Sequence, residues 1–148
     1  VRENDYSLLP EQDMASWLEP GLQAWGEIIS LKSAIEWLKT VKPNNQKPTD
    51  YIADLSKQLF SELSQIDGLV LINNAPASVI SFYSPKIDAH RLAVFLSASG
   101  IMARSGYFCC HYYLLEKCKY PPLLRLSIGL HTTTDDITKT IEAIKKFL

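Results

Sequence analysis

Apolar residues recur at helical spacing in several separated stretches of this chain, and between those stretches they collect into short runs bounded by turn formers. Ile28, Leu31, Ile35 and Leu38 fall three, four and three residues apart, which predicts a first helix ending before Pro43 and the polar run Asn44-Asn45-Gln46-Lys47-Pro48. Ile52, Leu55, Leu59, Leu63 and Ile66 form the stripe of a second helix. It starts at Thr49 or Asp50, either of which suits an N-cap, and stops at Asp67-Gly68. Two apolar runs, residues 69–72 and 78–83, flank the turn-rich Asn73-Asn74-Ala75-Pro76 and read as a strand pair. Asp88 caps a third helix carrying Leu92, Phe95 and Leu96, which Gly100 terminates. Ile101-Met102-Ala103 then reads as a strand that delivers Arg104 to a tight loop, residues 105–108, ending on Cys109. A short helix over 113–117 is broken by Pro121-Pro122. Over residues 123–130, alternation sends Leu124, Leu126, Ile128 and Leu130 to one face and Arg125, Ser127 and Gly129 to the other. Thr133 or Thr134 caps a last helix with the stripe Ile137, Ile141, Ile144 and Leu148. Its acidic first turn (Asp135, Asp136) and basic last turn (Lys145, Lys146) suit the helix dipole.

Few strands with helices between and around them predict an α+β fold: a small, mostly antiparallel sheet covered by helices. Residues 1–24 are polar and interrupted by Pro10, Pro20 and Gly21, so they read as an irregular lead-in with Trp17 and Leu18 as anchors. The remaining residues, 25–148, read as one domain, and 148 residues suffice for a real core. A net charge of -1 without a basic stripe argues against nucleic acid as a partner. No apolar run approaches the roughly 18 to 20 residues of a membrane span, and no signal peptide opens the chain. Cys109, Cys110 and Cys118 are an odd number without metal-ligand spacing, which predicts free thiols and a cytoplasmic setting. Opening on Val1 instead of Met suggests a piece of something longer.

The chemistry concentrates between Gly100 and Thr134. A guanidinium stays charged and is costly to bury without an anion. Arg104 and Arg125, with the Cys109 thiol beside a glycine turn, therefore suggest a pocket for a carboxylate. Blander readings stand beside this one. Arg125 also fits an exposed sheet-edge arginine, Arg104 a loop arginine capping carbonyls, and Cys109 a small buried hydrophobe. Cys110 and Cys118 read as packing residues, and His90 and His131 as structural histidines, while His111 follows the loop and can face the pocket. Trp17, Trp25, Tyr112, Tyr113 and Tyr120 read as core and interface aromatics.

The run from Gly100 to Cys109, GIMARSGYFC, resembles the Arg-x-Gly-x-x-Cys segment of class V aminotransferases, in particular of group II cysteine desulfurases and selenocysteine lyases. The run from Arg125 to Asp136, RLSIGLHTTTDD, is similar to that family's Arg-x-Ser-x-x-x-Tyr-Asn-Thr-x-Glu-Glu stretch, and Gly26 to Leu38 to its helix leading into the small domain. The resemblance spans about residues 18–148. It implies a pyridoxal phosphate enzyme of fold type I, a homodimer acting on a small amino acid, of which this chain is the small C-terminal domain. By position it implies that Arg125 and Arg104 bind the substrate carboxylate and that Cys109 accepts sulfur as a persulfide. The large domain with its cofactor lysine is absent, since no Ser-x-His-Lys occurs, and the chain alone is expected to be silent. Leu22 stands where the family has a phosphate-holding Thr, and His131 and Thr132 replace Tyr and Asn. A degenerate, non-catalytic domain serving dimerisation or partner binding is the alternative these departures suggest. A domain parted from its partner is also expected to expose apolar surface and to self-associate.

Overall fold

The computed structural model describes residues 21–148. Trp17, Leu18 and most of the expected lead-in lie outside the described residues. Residues 21–41 belong to one compact unit and residues 42–148 form a second.

The first unit contains helix α1 (Trp25–Thr40), as its helical spacing predicts, but none of its residues is buried. Trp25 and Trp37 are each 59% exposed and Ile29 69%. Trp25 is therefore not a core aromatic in this chain.

The second unit holds α2 (Pro48–Ser64), β1 (Val70–Leu71), β2 (Val79–Tyr83), α3 (Ala89–Ala98), β3 (Arg104–Gly106), a π-helical turn (Tyr112–Lys117), β4 (Leu123–Ser127) and α4 (Thr134–Phe147). The sheet is antiparallel throughout, in the order β1-β2-β4-β3. One face carries Ile80 and Phe82 of β2 and Leu124 and Leu126 of β4. These pack with Leu55, Leu59 and Leu63 of α2, Leu92 and Leu96 of α3, and Ile137, Ile141 and Ile144 of α4 in one core. Phe82, Leu63, Leu96 and Ile144 are fully buried, each worth about 1.5–3 kcal/mol of transfer free energy.

Local chemistry explains most boundaries. Helix α2 begins earlier than Thr49 or Asp50, at Pro48, with no side-chain cap. Proline at the first helical position has its φ preset and lacks only an N–H that would be orphaned there anyway. The Asp88 carboxylate accepts from the Arg91 N–H at 2.9 Å and caps α3. Gly100, at φ +80°, ends it, with Ile101 N–H donating to the Leu96 carbonyl and Gly100 N–H to that of Ser97. Helix α4 opens on a capping box in which Thr133 and Asp136 exchange hydrogen bonds. Its stripe ends at Ile144: Leu148 is 44% exposed, and Phe147 instead packs on Phe95 with ring centres 4.8 Å apart.

Three expectations are corrected in and around β3 and β4. The strand is Arg104–Gly106 and not Ile101-Met102-Ala103, because the chain leaves the Gly100 cap before it meets β4. The expected loop from Ser105 therefore starts later, at Tyr107. Strand β4 likewise ends at Ser127, short of Leu130.

Candidate functional site

The sheet face opposite the helical core carries the arginines. Residues directly opposed on antiparallel strands point to the same side. The register pairs Ser81 of β2 with Arg125 of β4, and Arg125 with Arg104 of β3. A row Ser81–Arg125–Arg104 thus crosses three strands with Arg125 at its centre. Arg125 is half-buried and Arg104 exposed. Arg125 Nε is shielded from water and makes no hydrogen bond among the described residues. The acidic groups that form ion pairs in the described chain partner lysines, not either arginine.

Residues 107–122 lie against this face. The Phe108 ring sits under the Arg125 guanidinium, 4.8 Å from its central carbon to the ring centre. Tyr120 meets Tyr83 of β2 at 6.1 Å. Gly106 allows the departure from β3, since its φ of +114° is one that side-chain-bearing residues rarely take. It lies opposite the buried Leu123.

Cys109 is exposed, at the third position of a turn from Tyr107 to Cys110. Phe108, just before it, connects its turn to Arg125. Cys110 is also exposed, so it is not the packing residue expected. Cys118 is half-buried beside Tyr113, whose hydroxyl is raised above its ordinary pKa of 10.0, first by the hydrogen bond with Cys118. Tyr112 and Tyr113 are exposed, so of the core and interface readings they do not take the core one. The defined contacts of the histidines are with near neighbours. His90 Nδ1 is 3.3 Å from Ser105 Oγ, and the His111 ring lies 5.2 Å from that of Tyr107. The His131 ring rests over Gly129 so closely that a Cβ there would come within 2.7 Å of it.

The face thus carries two guanidinium groups, and the exposed Cys109 thiol follows the residue stacked on one of them, but the described strands carry no amine. Among the described residues no lysine lies on β1 to β4. The two that lie in the covering segment are engaged elsewhere: Lys119 pairs with Glu116 at 3.2 Å and Lys117 sits over the Tyr112 ring at 5.3 Å. No described group of three or more His, Cys, Asp or Glu residues is placed to hold a metal ion. Nor is any described helix long and apolar enough to cross a membrane. Phe108 is the site residue that sequence reading missed; its place beside the Arg-x-Gly turn was the available signal.

Known proteins give this geometry a context. The aminotransferase class-V family model matches residues 6–140. A probable cysteine desulfurase of Xylella fastidiosa is 30% identical over 132 residues, which is 86% of this chain and 30% of that protein. A probable cysteine desulfurase of Pseudomonas aeruginosa is 29% identical over 88% of this chain and 32% of its own length. The chain thus spans about 30% of the length of the curated relatives it matches. The fold is shared with the cysteine desulfurase CsdA of Escherichia coli, at a TM-score of 0.73 and 22% identity, over 88% of this chain and 32% of that one. A C-DES protein solved with glycine covalently linked to its PLP cofactor aligns at a TM-score of 0.53 and 17% identity, over 66% of this chain and 23% of that one. With most of its length matched, the chain belongs to the class-V aminotransferase family.

Proposed function

We propose that this chain is the small C-terminal domain of a pyridoxal phosphate-dependent, cysteine desulfurase-like enzyme. In this reading Arg125 and Arg104 hold the carboxylate of a small amino-acid substrate and Cys109 receives its sulfur. One observation carries it: two arginines occupy opposed positions on neighbouring strands, one with a buried Nε lacking any partner among the described residues. Like charges directly opposite each other are unfavourable, and a planar guanidinium matches a carboxylate with two parallel hydrogen bonds. A bound carboxylate removes the repulsion.

Cys109 is accessible for the second role. Its thiolate would attack the substrate sulfur, forming a sulfur–sulfur bond as the carbon–sulfur bond breaks. The pair of electrons left on carbon requires an acceptor. Pyridoxal phosphate, when held by a lysine of the parent and conjugated with the substrate's own amine, would supply such an electron sink. The described residues do not fit the task of holding it, because the arginine face has no lysine and Leu22 offers no hydroxyl to a phosphate. The cofactor is accordingly assigned to a large domain outside this chain, and the chain alone is inactive. The free thiols support a reducing, cytoplasmic setting, and family membership supports a homodimeric parent.

The test is the full-length parent assayed for sulfide release from cysteine. The reading expects release to be abolished in Cys109→Ala with cofactor absorbance retained. Undiminished release from that variant would remove Cys109 from the chemistry.

A second reading, a non-catalytic association domain, is favoured by α1, which buries none of its residues and exposes Leu22, Trp25 and Trp37 nearby. The reading frame upstream decides between them. A frame encoding Ser-x-His-Lys supports the enzyme, whereas a stop codon followed by an independent start supports association.

A further inference from the structure

Tyr107, Phe108, Cys109 and Cys110 make a turn closed by the Cys110 N–H, which donates to the Tyr107 carbonyl at 2.8 Å. Both central residues are left-handed, Phe108 at φ +52° and Cys109 at φ +64°. That is the sign pattern of a type I′ turn, which proteins ordinarily build from Asn-Gly because a Cβ is crowded there. Phe followed by Cys is a poor sequence for it. A conformation of this kind persists only where its surroundings over-determine it.

The surroundings here are specific. The Phe108 ring lies 4.8 Å from the Arg125 guanidinium carbon, and a cation over an aromatic face is attracted by the ring's quadrupole. Arg125 is itself fixed, since β4 is paired on both sides by β2 and β3. With its Nε unpaired among the described residues, the guanidinium is met by the Phe108 ring. On the far side of the turn Tyr107 is met by His111 at 5.2 Å.

We propose that Phe108 is a positioning residue: by stacking on Arg125 it fastens the strained turn that presents Cys109. Thiol and guanidinium then keep a fixed placement relative to each other. The use of that placement in sulfur transfer rests on the function proposed above, whereas the fastening does not.

Hydrogen exchange of the Cys110 N–H, the bond that closes the turn, tests this in the full 148-residue chain. Phe108→Leu and Arg125→Gln should each speed its exchange by about fivefold, the scale of a partly exposed cation–aromatic contact. The double variant should be no faster than either single one, and Phe108→Tyr should behave as the parent. The Ile141 N–H in α4 should keep its protection throughout. If Phe108→Leu loses Ile141 protection and so fails to fold, Arg125→Gln with Phe108→Tyr decides. Unchanged Cys110 exchange in the folded single variants, or a double effect equal to the product of the two, overturns the proposal. No ligand enters this measurement, so its failure is distinct from a failure to bind carboxylate.

Discussion

Arg104 and Arg125 stand opposite each other on adjacent antiparallel strands, and no described carboxylate lies between them. Such an arrangement opposes folding on its own, and under the proposed function a bound carboxylate relieves it. Removing one charge should therefore stabilise the chain. Arg104→Gln is expected to gain about 0.2–1 kcal/mol in urea unfolding at low ionic strength. Added salt should shrink the gain, because Arg104 is exposed and its repulsion is screened. A loss of stability at low salt would mean that Arg104 has an attractive partner.

The thiols should separate by reactivity. Cys109 and Cys110 are exposed, whereas Cys118 is half-buried and hydrogen-bonded with Tyr113. Iodoacetamide on the native chain, followed by peptide mass spectrometry, should modify Cys109 and Cys110 well before Cys118. Preferential modification of Cys118 would contradict the placement of the turn.

The capping box gives a pH dependence with a definite sign. Hydrogen bonds from the Thr133 side chain and backbone hold the Asp136 carboxyl below its ordinary value of 3.8. A depressed folded value contributes stability that is complete above the unfolded value and is lost as pH falls through the folded one. Melting temperature followed from about pH 5 to about pH 2 should therefore fall more steeply in the parent than in Asp136→Asn. Parallel curves would remove the carboxylate from the cap. Thr133→Ala, which deletes the hydroxyl, should cost about 1 kcal/mol at neutral pH.

Core and rim should differ sharply under the same truncation. Leu96 is fully buried against both sheet and α4, and Leu96→Ala should cost about 2–5 kcal/mol in chemical denaturation. Met102 is 96% exposed, and Met102→Ala should stay within about 0.5 kcal/mol of the parent. A large effect at Met102 would reveal packing that its exposure denies.

Much of this architecture was legible in the residues. The stripe of α2, that of α4 as far as Ile144, the Asp88 and Thr133 caps and the Gly100 terminator follow from periodicity and local hydrogen bonding, and the structure keeps them. The alternation around Arg125 also placed it correctly, opposite in face to Leu124 and Leu126. Strand β3 was misread because Ile-Met-Ala has the apolar look of a strand while Arg-Ser-Gly does not. Pairing with β4 decides the matter, and pairing is not written in a local window. A tight loop ending on Cys109 was legible, but not its left-handed backbone at Phe108 and Cys109, since those residues contradict the usual chemistry of left-handed turns. For α1 the spacing announced a helix but said nothing of burial, which depends on what a helix packs against.

The proposed function requires Arg104 and Arg125 to form one carboxylate site. Titrating the chain with L-alanine while following the Arg Nε–H resonances by NMR addresses it most directly, since Arg125 Nε has no competing partner among the described residues. Saturable shifts at both Arg104 and Arg125, abolished at Arg104 by Arg125→Gln, are the predicted result. Resonances that stay still, or that drift linearly and alike for every arginine, would contradict it.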